Sequence, residues 1–393
     1  MKGISLGQVC CAVLLGLVNG CSYVEVPYGG NQYVTGRTME LGGLWLESKW
    51  TVQALQRGWS FPTSFFPSKM DRFSETARLL RRASKSKSNY GIVGVFGGFS
   101  FPELHINLEV LLDGMNEHGL SVGAHTHRGA KYQAPVDGVD SIQFLAFVPW
   151  VLANYKNVQE VVEAIESGEL LVTSRSYVPS GLGIHFYLAD SNGKSVVVEY
   201  VNGKPMIHDN TVRVMTNDPE FDWQLRNLNQ YAGIGPTNPS RKDDCGEIDT
   251  EIGPVPRAVG HGFNLFGLPG DSGPPARFVR MFVYKQLALY SNPPKNERDG
   301  IVLCQSIINS VEIPLGVVPK ISKGDFGDFT QWALIKIPST RKFMYRSYDN
   351  MKWKSIDMPQ LVPFFENGSK PNILHVFTNE TGIEDVTSKF TGA

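Results

Sequence analysis

The sequence predicts an α+β domain made of antiparallel hairpins with amphipathic helices packed against them. Two kinds of segment carry this prediction. Short β-branched or alternating runs meet at tight polar turns, as at Tyr28-Gly29-Gly30-Asn31 and Asp190-Ser191-Asn192-Gly193, the signature of hairpins. Other stretches repeat their apolar residues with a period near 3.6, most clearly at 142–168. The chain shows no repeat, P-loop, dinucleotide fingerprint or Ser/His/Asp signature. A mixture of hairpins and amphipathic helices fits a layered α+β domain.

Residues 4–18 carry no charge and follow Lys2, with Val18 and Gly20 before Cys21. This predicts a signal peptide over 1–20 and one domain over 21–393, exported to an extracellular, periplasmic or lysosomal compartment. Val18-Asn19-Gly20-Cys21 also approaches a bacterial lipoprotein signal, which would lipidate Cys21. Residues 21–27 and 32–35 then form a hairpin. A turn centred near 29–30 places Cys21 across from residue 37 or 38, with Gly36-Arg37 beside it and Glu40 slightly beyond.

The stretch 41–70 is rich in aromatic residues, including Trp45, Trp50, Trp59 and Phe65-Phe66, and either covers a core edge or lines an apolar site. Basic and polar residues follow, and 84–88 reads as an exposed linker. Strands are expected at 91–96, 104–111 and 121–125, the last entered through the turn Asp113-Gly114-Met115-Asn116-Glu117-His118-Gly119-Leu120. His125 and His127 have no cysteine or carboxylate at ligand spacing, a weak set for a metal. Two helices are expected within 142–168, broken near 154–157, then strands at 183–189, 195–201 and 212–217. A helical pattern spans 220–231, and 232–275 is a long Gly- and Pro-rich loop. A helix follows through Tyr290, with Arg277 and Arg280 sharing a face. Strands at 332–337 and 343–348 close the pattern.

Composition narrows the function. Of 393 residues, 42% are hydrophobic and 19% charged, which describes a globular chain. A net charge of −1 offers no basic face, so nucleic acid is not an expected partner. Beyond residue 20 no apolar run has the length of a membrane span. Of five cysteines, Cys10 and Cys11 lie in the leader, which leaves Cys21, Cys245 and Cys304. An odd number predicts one free thiol, with a Cys245–Cys304 pair left open. Asn367-Gly-Ser and Asn379-Glu-Thr are acceptor sequons if the source is eukaryotic.

Cleavage after Gly20 would give Cys21 both a thiol and a free α-amine. Their reference pKa values, about 8.5 and about 7.7–8.0, make proton transfer between them cost only about 1 kcal/mol. One residue then supplies nucleophile and base. A nearby arginine would stabilise the thiolate, and a carboxylate would hold the ammonium.

The motifs resemble the choloylglycine hydrolase and penicillin V acylase family of N-terminal-nucleophile hydrolases. The resemblance runs from Cys21 to about Tyr348. It rests on Gly-Arg-Thr-Met-Glu at 36–40, Asp-Gly-Met-Asn-Glu-His-Gly-Leu at 113–120, Trp150-Val-Leu-Ala-Asn154 and Thr216-Asn217. Phe221-Asp-Trp223 with Asn227-Leu-Asn-Gln-Tyr231, and Gly267-Leu-Pro-Gly-Asp271 with Ala276-Arg277-Phe278, complete it. The resemblance implies a four-layer αββα sandwich and hydrolysis of a linear amide through a thioester on Cys21. It implies Arg37 beside the thiolate, Asn217 donating to the oxyanion, and Arg277 as a second site arginine. It implies no cofactor or metal, and assembly as a homodimer or homotetramer.

Two positions depart from the family pattern. Glu40 stands where the family usually has Asp, and Thr126 where bile salt hydrolases have Asn and penicillin V acylases Tyr. Met39 and Thr126 are the expected substrate-binding residues. Conjugated bile acids, penicillin V and fatty N-acyl amides are the candidate substrates. The rival reading is an acyl-ligand-binding protein of the same fold that has lost catalysis.

Overall fold

The computed structural model describes residues 20–42, 49–65, 85–101, 106–136, 139–174, 183–237, 245–258, 262–318, 327–378 and 382. The expected leader up to residue 19, Trp45, Phe66 and the sequon at Asn379 lie outside the described residues.

Fourteen strands build the two main sheets. In chain order they are β1 Gly20–Gly29, β2 Gln32–Leu41, β3 Lys49–Leu55, β4 Ile92–Phe101, β5 Ile106–Asn116, β6 Ser121–Thr126 and β7 Ile184–Ala189. They continue as β8 Ser195–Val201, β9 Lys204–Asp209, β10 Val214–Met215, β11 Phe329–Ile337, β12 Lys342–Ser347, β13 Lys354–Asp357 and β14 Asn372–His375. The helices that matter here are α1 Phe147–Asn154, α2 Val158–Glu166, α3 Phe221–Asn227, α4 Pro274–Ser291 and α5 Glu297–Asn309.

One sheet has the order β10-β1-β2-β11-β12-β13 and the other β9-β8-β7-β6-β5-β4-β3-β14. Every pairing within them is antiparallel. The sheets stack face to face. Tyr23 of β1 lies flat on Tyr187 of β7, with ring centroids 3.6 Å apart. On the outer face of the smaller sheet, Val24, Val26 and Val34 pack on Phe278 and Met281 of α4 and on Ile307 and Ile308 of α5. On the outer face of the larger sheet, Phe147 of α1 stacks on Phe186 at 4.0 Å. This is the αββα sandwich.

Most elements fall where periodicity places them, and the exceptions have physical causes. A bulge between Pro27 and Gly29 moves the first hairpin's register, so Cys21 opposes Met39 rather than residue 37 or 38. The strand expected over 212–217 is reduced to Val214–Met215, because Thr216-Asn217 leaves the sheet edge. The loop expected over 232–275 contains a two-stranded hairpin, Cys245–Thr250 with Gly253–Ala258. The described aromatics of the 41–70 stretch serve the core: Trp50, Phe61 and Phe65 are buried in the cluster that also holds Cys21 and Met39.

Helix α5 has no clear counterpart in the sequence pattern. Its helicity comes from a cap and from packing: the Asn296 side chain accepts from Asp299 N at 3.0 Å. Gly300 lets the helix settle on β1 and β2, since an added Cβ would lie 3.0 Å from Val34 Cγ2 and 3.1 Å from Tyr28 Cβ. Tertiary packing of this kind outweighs the intrinsic cost of a helical glycine.

Cys304, on α5, is a free, fully buried thiol. The pair with Cys245 that the sequence left open is therefore not formed. Instead its sulfur fills the space beside Gly36 of β2. A Cβ on Gly36 would stand 2.5 Å from Cys304 Sγ and 2.9 Å from Ile308 Cγ2. Gly36→Ala is expected to lower stability by about 1–3 kcal/mol through overpacking. Chemical denaturation checks this, and Gly36→Ala with Cys304→Ala should recover part of the loss.

Candidate active site

The two-residue alternation of strands sorts the motif at 36–40 onto two faces. Cys21, Tyr23, Arg37 and Met39 point into the space between the sheets. Ser22 and Glu40 point toward α4 and β11. The site is therefore assembled on both sides of β1.

Between the sheets, Met39 Sδ lies 3.6 Å from Cys21 Sγ, and Arg37 Nη2 donates to Cys21 Sγ at 3.5 Å. The guanidinium is held from the opposite sheet. It donates to Ala124 O at 2.7 Å, to Leu112 O at 3.1 Å and to Asp113 Oδ2 at 2.6 Å. Asp113 is shared with Tyr187 Oη and with Lys336 Nζ of β11. Lys336 also donates to Tyr187 Oη at 2.9 Å. Arg37 further lies 5.0 Å from the Trp332 ring centroid. The arginine thus comes from the hairpin, while its position is set by β5, β6 and β11.

On the other face, Arg277 in the first turn of α4 reaches back to the start of β1. It donates to Cys21 O at 2.8 Å, Ser22 Oγ at 2.6 Å, Asn217 Oδ1 at 2.9 Å and Ser272 O at 2.9 Å. A cation in a first helical turn opposes the helix dipole, and these four acceptors offset that. Arg280, sharing its face, instead ties down the preceding loop through Pro269 O at 2.8 Å and Asp271 O at 3.2 Å.

Asn217 joins the two halves. Its Oδ1 accepts from Cys21 N at 2.8 Å as well as from Arg277, and its Nδ2 donates to Thr126 O at 3.0 Å. Because a guanidinium only donates, the amide can take only this orientation. One of the two N–H bonds of Nδ2 is used on Thr126. Thr126 is buried and meets the site through its backbone carbonyl.

Glu40 does not contact Cys21. Its Oε1 accepts from Thr330 Oγ1 at 2.8 Å, and its Oε2 lies 3.9 Å from Arg277 Nη1 without a hydrogen-bond partner. That oxygen sits beside residue 20: it is 3.5 Å from where a Cβ on Gly20 would be.

Electrostatics follow from burial. Gly20 precedes Cys21 in this chain, so the Cys21 nitrogen is a peptide N–H. Desolvation pushes the Cys21 thiol up to about 11 despite the pull of Arg37, and the nearby Glu40 charge adds to the rise. Burial also opposes the charge of Arg37, but the Cys21 and Asp113 charges outweigh it and hold the arginine above its ordinary value. Burial lowers Lys336 to about 8, with Asp113 resisting.

The sequence profile of the choloylglycine hydrolase family, linear amide C–N hydrolases, matches residues 31–362. The chain belongs to this family. It is 32% identical over 250 residues to a bile salt hydrolase/transferase of Clostridium perfringens, covering 63% of this chain and 72% of that protein. It is 28% identical over 278 residues to a penicillin V acylase of Pectobacterium atrosepticum, covering 67% and 61%. A crystal structure of a single-residue variant of the conjugated bile acid hydrolase from Clostridium perfringens shares the fold with a TM-score of 0.72 at 23% identity. It covers 93% of this chain and all of that one, 100%. The penicillin V acylase from Agrobacterium tumefaciens superposes with a TM-score of 0.66 at 22% identity, covering 93% and 94%. The chain is thus a linear amide C–N hydrolase of the choloylglycine hydrolase family.

For this family member, the structure brings Cys21, Arg37, Met39, Asn217, Arg277 and Thr126 together, with Glu40 3.9 Å from Arg277 and paired across the hairpin with Gly20. Sequence reasoning missed the support beneath Arg37. Asp113 opens a motif that reads as a turn, yet it lies within β5 and carries two buried cations. Lys336 lies in a strand whose pattern reads as plain core. Nothing in the spacing of 37, 113, 187 and 336 announces that they meet.

Proposed function

We propose that residues 1–20 are removed as an export signal and that the mature enzyme begins at Cys21, whose thiol attacks the carbonyl of an N-acyl amine. The observation that carries this reading is the placement of Cys21: its nitrogen on Asn217 Oδ1 at 2.8 Å and its sulfur on Arg37 at 3.5 Å. Once the nitrogen is a free amine, it takes the thiol proton, and Arg37 stabilises the thiolate. The second N–H of Asn217 Nδ2 donates to the oxyanion of the tetrahedral intermediate, a contribution typically worth about 10²–10³ in rate. The α-ammonium then returns its proton to the leaving nitrogen, and water resolves the thioester.

Glu40 has a place in this scheme. Its unpartnered Oε2 lies beside residue 20, where the ammonium of a processed Cys21 would form. The cost of leaving a buried carboxylate oxygen unpartnered in the unprocessed chain favours that arrangement.

The substrate class is a linear amide with a large apolar acyl group: a conjugated bile acid, a phenoxyacetyl penicillin or a fatty N-acyl amide. The enzyme works after export, outside the cytosol, as a single domain over 21–393 that assembles as a dimer or tetramer.

Terminal sequencing of the purified enzyme, paired with hydrolysis of glycocholate, penicillin V and a long-chain N-acyl amide, tests the reading. A free Cys21 terminus with turnover of at least one substrate is expected. An active enzyme whose terminus is blocked, lipidated or elsewhere in the chain would overturn it.

A further inference from the structure

Asn217 stands just past the end of a very short strand. β10 pairs with β1 through Val214 and Met215, so the backbone of Thr216 and Asn217 has left the ladder. In the proposed reaction the Cys21 nitrogen takes up a proton and later returns it. Its bond to Asn217 Oδ1 at 2.8 Å therefore changes character along the way. Something other than the ladder has to keep the Asn217 amide aimed.

The larger sheet does this through one carbonyl. His125 Nδ1 and His185 Nε2 both lie 3.0 Å from Thr216 O. A carbonyl only accepts, so each ring donates. The two histidines are direct cross-strand partners on β6 and β7, and side chains so placed stand about 4.5–5.5 Å apart at Cβ. That spacing lets both rings converge on a single oxygen. The Thr216 carbonyl belongs to the same planar peptide unit as the Asn217 nitrogen. Gripping the oxygen thus sets the plane from which the Asn217 side chain departs. Thr216 Oγ1 adds a third tie, donating to Pro274 O at 3.1 Å.

Each ring is itself held. His185 Nδ1 pairs with Glu199 Oε1 at 2.8 Å, a buried ion pair. Glu199 also accepts from Phe221 N at 3.1 and 3.0 Å. His185 and Glu199 therefore join both ends of the segment 216–221 to β7 and β8, with Asn217 between them. His127 stacks on the His185 ring at 4.8 Å and 16°. His125 is edge-on to Tyr187, with ring centroids 5.5 Å apart, and its buried Nε2 has no hydrogen-bond partner among the described residues. Burial, with the charge of Arg37, pushes His125 well below the usual histidine range, so it grips Thr216 without adding charge to the site. Leaving a buried nitrogen unpaired is costly, and a leucine would fill this space without that cost. What histidine adds here is the bond to Thr216.

We propose that His125 and His185 are positioning residues: by clamping the Thr216 carbonyl from two strands, they hold the Asn217 amide where the oxyanion of the tetrahedral intermediate forms. Their role depends on Cys21 being the nucleophile and Asn217 the oxyanion donor, as proposed above. Formation and hydrolysis of the thioester both pass through an oxyanion, so a misplaced donor slows either step.

The test compares the mature enzyme with His125→Leu, His125→Asn, His185→Leu and His185→Gln. An asparagine amide nitrogen reaches the place of an imidazole Nδ1, and that of glutamine the place of Nε2, so His125→Asn and His185→Gln keep the donor while removing the ring. Two rates are measured. One is hydrolysis of whichever of glycocholate, penicillin V and a long-chain N-acyl amide the parent turns over. The other is alkylation of Cys21 by iodoacetamide, which displaces iodide at carbon and forms no oxyanion. Each leucine variant should lose about 10–100-fold in kcat, with KM and the alkylation rate within about twofold of the parent. His125→Asn and His185→Gln should recover most of kcat. His185→Leu also strands the Glu199 carboxylate, so the decision rests on His125→Leu, whose lost hydrogen bond is the one to Thr216. Parental kcat in His125→Leu would overturn the proposal. So would a parallel fall in its kcat and alkylation rate, or a His125→Asn enzyme as slow as His125→Leu. Parental activity in Cys21→Ala would instead sink the nucleophile reading beneath it, and because a different variant reports it, the two failures are distinguishable.

Discussion

Cys21→Ala is expected to abolish amide hydrolysis, with kcat/KM falling by at least about 10³-fold, because the residue removed is the proposed nucleophile. Met39 and Arg37 pack against the sulfur, and removing it leaves a small cavity between the sheets, so a modest stability loss accompanies the loss of activity. Retained circular dichroism and a near-parental denaturation midpoint would show that chemistry rather than folding was lost. Hydrolysis by Cys21→Ala at the parent's rate would sink the nucleophile assignment. A linked expectation concerns the chain that still carries residues 1–20. There the buried thiol sits at about 11, so alkylation by iodoacetamide should be slow at neutral pH. It should rise about tenfold per pH unit toward pH 11, tracking the thiolate fraction. On the proposed mechanism, processing would supply the free amine that takes the thiol proton.

Asp113→Asn should be the most destabilising single substitution near the site. Asp113 is fully buried and is the one carboxylate that Arg37 and Lys336 share in the described structure. With an amide in its place, two buried cations lose their counter-charge while keeping only carbonyl and phenol acceptors. Breaking a buried pair in this way costs about 3–5 kcal/mol, a large fraction of the roughly 5–15 kcal/mol that holds a domain folded. Urea denaturation measures it directly, and a loss below about 1 kcal/mol would contradict the role given to Asp113. Lys336→Met in the Asp113→Asn background should recover part of the loss, since it removes one stranded charge. The pH dependence has a definite sign. Lys336 is lowered from 10.5 to about 8 by burial, so between these values the unfolded chain binds the extra proton. The contribution of Lys336 to stability therefore falls as pH drops from about 10.5 to about 8, and Lys336→Met should flatten that slope.

Local periodicity made much of the fold legible. The hairpins at β1–β2 and β7–β8, and the α1–α2 pair broken near Asn154, all follow from alternation, turn residues and 3.6-residue spacing. Helix α5 was not legible, because its Gly300 weakens the local signal and its stability comes from lying on Val34 and Tyr28. At the site, Cys21, Arg37, Asn217 and Arg277 could be named from motifs, but their geometry could not. Turn spacing put Cys21 across from residue 37 or 38, and the bulge at Pro27 moved it to Met39. That shift puts Met39, not Arg37, directly opposite Cys21, and Arg37 reaches the sulfur diagonally.

By itself, then, the sequence determined the family motifs that single out Cys21, Arg37, Asn217 and Arg277, and most of the hairpins and helices around them. Those properties depend on neighbours within a few residues. The tertiary structure decided which face each side chain takes, that Arg37 rests on Asp113 and Lys336, and that His127, His185 and Glu199 meet behind Asn217. Alternation says which residues share a face, but not what the opposite sheet brings to it. Pairings across 76 or 223 residues, as for Arg37 and Lys336 with Asp113, exist only once the two sheets have stacked and excluded water, when a buried charge must find its partner.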